Sequence, residues 1–410
     1  MTLFGGGRVW IATCLLVAGA FALAATGCRS SSVSKDTRLQ RMQASPQYRD
    51  GRFVNALPVR SGINGEGHMY WNMLRRSLTG DEIRVPEEPL PIVPRQRGDF
   101  TAPPGDGLRL TWLGHASVLI EIDGYRVLTD PVWATSVSPI SLAHGSPRFF
   151  APPIALSELP PLDAVLISHD HYDHLDRPTI IHLNTGTTAM FYVPLGVGAR
   201  LEQWGVSSER IVELDWWQEH ALRGLKLVAT PARHFSGRSL FDGDATLWSS
   251  WALIGPRHRV FFSGDTGMFP GFAEIGQRHG PFDATLIETG GYSALWADVH
   301  LGPEQAVQAH QALRGRLLVP IHWGTFSMAM HGWTEPVERL AVAAKDAGVA
   351  VAVPRPGESV TPGTPAQVVR WWPAVPWQRA SEAPVVSSGT GSTGPPIRTT
   401  PSNPNPGSKL

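Results

Sequence analysis

The chain has 410 residues, 42% of them hydrophobic, which is enough for a substantial core in one large domain or two to three small ones. Lysine plus arginine balances aspartate plus glutamate at 35 each, so no global charge favours nucleic acid. With only two cysteines, Cys14 and Cys28, a disulfide scaffold or a thiolate metal cage is excluded for the body of the chain. Fifteen tryptophans are expected chiefly in the core, with a lipid-facing groove as the second reading.

The first 28 residues read as a leader. Arg8 precedes an uncharged apolar run, Val9 to Ala25, and AATGC ends at Cys28. A positive start, an apolar stretch and small residues form a secretory signal. The cysteine at the cut resembles a bacterial lipoprotein signal in which Cys28 becomes the acylated first residue. The alternative is an uncleaved anchor helix. Both place the body in the cell envelope on the periplasmic side, and Arg29 after the cysteine favours the outer over the inner membrane by resemblance to bacterial sorting. Residues 29–104 form an N-terminal extension and connector that includes the proline-rich PEEPLPIVP from Pro86.

From 105 to 365 the pattern is that of one hydrolase-sized domain. Short β-type runs recur, among them LRLTWLG, SVLIEI, YRVLTD, DAVLIS, LKLVATP, RVFFSG, DATLIET and LLVPIHW. Two helices are readable between them: PEQAVQAHQALR from Pro303, with Gly315 beyond its end, and EPVERLAVAAKDA after Thr334, stopping at Gly348. Strands alternating with helices suggest a layered α/β domain. Residues 366–410, rich in Pro, Ser and Gly, are expected to be a disordered tail.

The chemistry gathers at SHDHYDHLD, Ser168 to Asp176, directly after the apolar DAVLI. His169 and His171 lie two apart, so in extended chain they point to the same side. Asp173 and His174 follow, where a helix is expected to begin. So many ionisable groups repel one another unless a cation organises them. Imidazole plus carboxylate without thiolate suits Zn²⁺, with Fe or Mn as alternatives. Three more strand exits deliver metal-type side chains: LKLVATPAR to His234, RVFFSG to Asp265, and LLVPI to His322. Together these favour a two-metal site over a one-metal site. SGDTG reads as a tight turn presenting Asp265, and neither a serine-hydrolase elbow nor a phosphate-binding P-loop is found.

His-x-His-x-Asp-His, SGDTG and PIHWGTF resemble the metallo-β-lactamase fold superfamily. TWLGHAS, TDPVW, PRFFAPP, ELPPLDAVLISHDHYDHLD and ELDWWQE are similar to its N-acylphosphatidylethanolamine-hydrolysing phospholipase D branch, over about residues 105–360. The resemblance implies a four-layer αββα sandwich with two zinc ions at one edge of the sheets. It implies His169, His171 and His234 on one ion, Asp173, His174 and His322 on the other, and Asp265 bridging with a catalytic role. His300 is expected at the phosphate or leaving group, His115 and Asp130 in support of the ligands. The implied reaction is phosphodiester hydrolysis by a metal-activated hydroxide, giving N-acylethanolamine and phosphatidic acid from a phospholipid, with a membrane tether through the N-terminal lipid and no nucleic-acid partner. Rival readings are a lactone, a sugar phosphate or another phosphodiester as substrate, a nuclease, a di-iron redox protein, or a non-catalytic envelope protein.

Overall fold

The computed structural model describes residues 35–60, 80–138, 145–363 and 369–389. The leader with Cys28 lies outside them. The described chain opens with helix α1 (Lys35–Gln43) and a hairpin at 48–53 whose Phe53 is buried. Strands β1 (Leu108–Gly114), β2 (Ser117–Ile122) and β3 (Tyr125–Thr129) then form an antiparallel meander. Strands β4 (Ala164–Leu166), β5 (Met190–Pro194) and β6 (Ile211–Leu214) extend this sheet in parallel. Helix α2 (Arg177–Gly186) crosses between β4 and β5, and α3 (Gly198–Gln203) between β5 and β6. Tight turns can only join antiparallel strands, and parallel neighbours need such crossovers.

The second sheet runs in chain order: β7 (Glu219–Leu222), β8 (Leu225–Thr230), β9 (Ser250–Ile254), β10 (Arg259–Phe262), β11 (Phe282–Glu288) and β12 (Gly315–Ile321). Its first four strands are antiparallel, and β10, β11 and β12 are parallel. Helices α4 (Gly271–His279) and α5 (Pro303–Ala312) supply those crossovers. Helix α6 (Glu335–Ala347) follows, and Gly348, at φ 66°, ends it. The last strand, β13 (Ser359–Val360), returns to the first sheet beside β1.

Alternation along the strands builds the layers. In β2, Val118 and Ile120 face the second sheet, while Leu119 joins the other face with Leu128, Val165, Ile180 and Leu183. That outer face is covered by α2 and α3 through Ile180, Leu183 and Leu201. The outer face of the second sheet is covered by Phe272 and Ile275 of α4, Val307 of α5 and Leu340 of α6. The order is therefore helix, sheet, sheet, helix, the expected αββα sandwich. Trp112, Trp216, Trp248 and Trp251 are all buried, so these indoles are core rather than groove.

Two expectations are corrected. Residues 369–389 are not a loose tail. Trp372 is buried with Nε1 donating to Glu338 Oε1 at 2.9 Å, and Ser388 N and Oγ donate to Asp298 at 2.5 and 2.6 Å. The Pro, Ser and Gly content averaged over 366–410 misses this, because the tryptophans stand in the first part, Trp371, Trp372 and Trp377, and hydrogen bonds to buried acceptors hold the segment. Residues 364–368 and 390–410 lie outside the described residues. Secondly, Asp173 and His174 precede the helix: they occupy a turn, and α2 starts at Arg177 with Pro178 in its first turn.

Candidate metal centre

Every site residue sits at one edge of the sandwich, past a strand end. β4 leads to 168–174, β8 to His234, β10 to Asp265, β12 to His322 and β3 to Asp130. The β1–β2 turn places His115 there. His115 (φ 53°), Asp130 (φ 31°) and His322 (φ 61°) are held in the left-handed region, a strain that the surroundings must over-determine. They do so: His322 N donates to His115 O at 3.0 Å, joining the two sheets, and His115 N donates to Thr325 Oγ1 at 2.6 Å. Gly264, at φ 55°, passes so near Ser168 that a Cβ there would lie 2.4 Å from the Ser168 Cβ. Only glycine permits the SGDTG turn this close to the histidine loop.

The seven expected donors converge in two sets. His169 Nε2 lies 2.8 Å from His171 Nδ1, and His234 Nε2 lies 3.3 Å from the same atom. On the other side, Asp173 Oδ2 is 3.3 Å from both His174 Nε2 and His322 Nε2. Asp265 Oδ2 stands between them. It is 3.1 Å from His174 Nε2 and 3.2 Å from His322 Nε2, and 3.9 and 3.8 Å from His169 and His234 Nε2.

Four of the five expected ligand imidazoles are aimed by a partner on the far nitrogen, the arrangement that fixes tautomer and orientation in metal sites. His174 Nδ1 meets Asp130 Oδ2 at 2.7 Å, His234 Nδ1 meets Val299 O at 2.9 Å, and His322 Nδ1 meets Gly290 O at 3.1 Å. His169 Nδ1 meets Ser168 Oγ at 2.9 Å, and Ser168 is held by Asp130 through both Oγ and N. His115 Nε2 lies 2.9 Å from Asp173 Oδ2, in the supporting position expected of it.

The charge balance fits a cation. Burial drives the His169 and His234 imidazoles well down and lowers His171 as well, so all three are neutral donors. Burial also opposes charge on His174 and His322, but Asp265 and Asp173 together, with Asp130 for His174, outweigh it, lifting His174 well above the usual range and His322 to about 10. Burial pushes Asp173 and Asp265 up, and the neighbouring imidazoles, His174 foremost, hold both well below the carboxylate range. Without a cation, protons do this work. Asp265 Oδ1 and His174 Nε2 are buried with no hydrogen bond, orphaned polar atoms at the middle of the cluster. Tight groups of nitrogen and carboxylate donors without sulfur suit zinc-type divalent ions.

Residues 125–323 match the beta-lactamase superfamily domain family. Over 269 residues the chain is 37% identical to the N-acyl-phosphatidylethanolamine-hydrolyzing phospholipase D 1 of Caenorhabditis elegans, covering 63% of this chain and 75% of that one. The chain belongs to the phospholipase D-like branch of the metallo-β-lactamase superfamily. Within that superfamily it is 45% identical over 375 residues to an uncharacterized protein of Mycobacterium tuberculosis, covering 89% of this chain and 98% of the relative. The isothiocyanate hydrolase from Delia radicum gut bacteria shares the fold, with a TM-score of 0.50 at 19% identity over 62% of this chain and 98% of that one. Family, fold and donor cluster together make this metallo-β-lactamase relative a metal-dependent hydrolase.

His300 lies at the rim of the centre. Its Nδ1 is 2.8 Å from Glu288 Oε2 and 3.9 Å from Asp265 Oδ2. Glu288 escaped the sequence reading, although DATLIE ends in a carboxylate at a strand exit just as the other site strands do. It is buried, closes β11, and also accepts from Thr266 N at 2.5 Å and Leu301 N at 3.1 Å. Asn55, from the N-terminal extension, exchanges hydrogen bonds with the His234 backbone at 2.7 and 3.1 Å, so residues before 105 help to hold the centre.

Proposed function

We propose that the protein is a dinuclear zinc phosphodiesterase of phospholipase D type that releases N-acylethanolamine and phosphatidic acid from N-acylphosphatidylethanolamine. The observation that carries this reading is the position of Asp265 Oδ2, within 3.9 Å of nitrogens from both donor sets, which is the place of a bridging carboxylate. His169, His171 and His234 would hold one ion, and Asp173, His174 and His322 the other. Two such ions supply Lewis acidity and a nucleophile drawn from water at neutral pH. The 37% identity to a phospholipase D of the stated specificity supports the substrate.

The chain's own groups do the rest. Asp265 fixes the spacing of the two donor sets. Glu288 holds the His300 ring at Nδ1, which leaves Nε2 as the ring's other proton-exchange atom at the rim, suited to a leaving alcohol. Water oxygen bonds to phosphorus, the phosphorus–oxygen bond to the ethanolamine breaks, and the alcohol departs with a proton. A lipid tether at Cys28 would hold the site beside its substrate in the envelope, with the outer membrane favoured, and would raise effective concentration. Among the described residues no helix is long and apolar enough to cross a membrane.

The test is elemental analysis of full-length protein with a hydrolysis screen over N-acylated phosphatidylethanolamine, simple phospholipids, lactones and sugar phosphates. Wild type, Asp265→Asn and His322→Ala are compared. The expected result is two zinc equivalents and cleavage of the N-acylated lipid in wild type, with both lost in the variants. Turnover of a lactone without cleavage of that lipid would overturn the substrate.

A further inference from the structure

Among the described residues the two most exposed large apolar side chains are neighbours: Leu240 is 96% and Phe241 90% exposed, followed by Val386 at 74%. A floppy loop could expose such a pair by accident. This one is built. Asp242 Oδ1 accepts from Arg238 N at 2.9 Å and Ser239 N at 2.7 Å, closing the turn beneath the pair. Asp242 Oδ2 is gripped by Arg200 Nη2 at 2.8 Å, and Arg200 Nε reaches Asp170 Oδ2 at 2.7 Å.

The same anchors reach into the metal centre. Asp170, buried between His169 and His171 in sequence, accepts from Gly237 N at 2.8 Å, and its carbonyl accepts from Arg238 Nη1 at 2.8 Å. Tyr172, in the same loop, donates to Arg238 O at 2.9 Å. The tip is therefore rigidly registered to the histidine loop. Beside it lies a cavity of about 450 Å³ lined by Arg177, Arg200 and Arg238, against Asp176 and Asp242, with Tyr172 in its wall. Arg200 is tied to Asp170 as well as to Asp242, so three guanidinium groups meet three carboxylates here, and the wall offers N–H donors for a phosphodiester headgroup rather than a net positive charge.

The start of the described chain is tied to the same place. Arg38 of α1 bonds Glu202 of α3 at 2.9 Å, on the helix whose Arg200 holds the tip. The described residues begin at Lys35, and six residues lie between it and Cys28, a reach of at most about 25 Å.

We propose that Leu240 and Phe241 form a wedge that inserts into a phospholipid bilayer and seats the metal centre against its surface, with the arginine-lined cavity over the headgroups. This deepens, and rests on, the phospholipid reading above. Large apolar side chains at a polar rim are the usual device of interfacial binding.

The experiment compares full-length wild type with Leu240→Ser/Phe241→Ser. Both residues are exposed and outside the donor cluster, so folding is not at stake. Hydrolysis is measured on N-acylphosphatidylethanolamine in phosphatidylcholine–phosphatidylglycerol vesicles and on a soluble short-chain analogue. Amide exchange at 238–242 is followed with and without substrate-free vesicles. The variant is expected to lose roughly tenfold or more in kcat/KM on vesicles and to match wild type on the soluble analogue. Vesicles should slow exchange at 238–242 in wild type only. Equal vesicle turnover in both proteins, or no slowing in wild type, overturns the wedge. If neither protein cleaves either N-acylated substrate but the exchange difference is present, the substrate reading fails and the wedge stands.

Discussion

Asp130→Asn tests how the centre is aimed. Asp130 is buried and wholly engaged: Oδ1 accepts from Ser168 N at 2.7 Å, and Oδ2 takes Ser168 Oγ at 2.5 Å and His174 Nδ1 at 2.7 Å. The backbone N–H can only donate, so the amide oxygen of an asparagine must face Ser168 N. Its NH₂ then faces His174 Nδ1, donor against donor. The imidazole relieves this by moving its proton to Nε2, the atom directed at Asp173 and Asp265, and a protonated nitrogen cannot ligate a metal. One charge-assisted hydrogen bond is lost, worth about 1.5–3 kcal/mol. Changes of this kind typically cost about 10–100-fold in metal affinity, or roughly 1.4–2.7 kcal/mol. Zinc affinity is read by competition with a chromophoric chelator, and thermal unfolding of metal-free protein controls for a folding defect. Affinity within about twofold of wild type would falsify the tautomer argument.

Two further expectations concern the body of the fold. Arg233 is buried and bonds Asp298 at 3.0 Å, Met268 O at 3.1 Å, Ser388 O at 2.8 Å and Pro58 O; Arg233→Ala leaves Asp298 buried without its cation, and denaturant titration should show a loss of about 3–5 kcal/mol, with a loss below 1 kcal/mol counting against a structural role. His310 is 3% exposed, its Nδ1 2.7 Å from Thr285 Oγ1, and burial lowers it to about 4. Its folded value is below the ordinary 6.5, so its stability contribution is intact above that pH and drains away as pH falls from about 6.5 to about 4, by about 3 kcal/mol in all. The stability gap between wild type and His310→Asn should shrink accordingly between neutral pH and pH about 4.5; a gap constant with pH refutes this.

The sequence was legible where chemistry is dense or periodic. The run from His169 to His174 announced itself because such crowding makes no sense without a cation. His234, Asp265 and His322 followed because each stands just past an apolar strand. Helices α5 and α6 were readable from proline near the start and glycine beyond the end. What aims the centre was hidden. Val299 O and Gly290 O are backbone atoms of distant residues, which no side-chain pattern records. The anchoring of 369–389 was hidden for a related reason, since Ser388 finds Asp298 only once the domain has folded. Nothing in the local pattern marks Leu240 and Phe241, because their exposure is a property of the folded loop.

The donors are unevenly shared between the two sheets. The polypeptide up to β6 brings His169, His171, Asp173 and His174, and the polypeptide from β7 onward brings His234, Asp265 and His322. A fragment ending near residue 214 would therefore carry the most recognisable signature of the family and still lack members of both donor sets. Possession of the histidine-rich stretch alone is thus a poor guide to competence in shortened relatives; the later, sparser half of the chain has to be present for the hydrolase to exist.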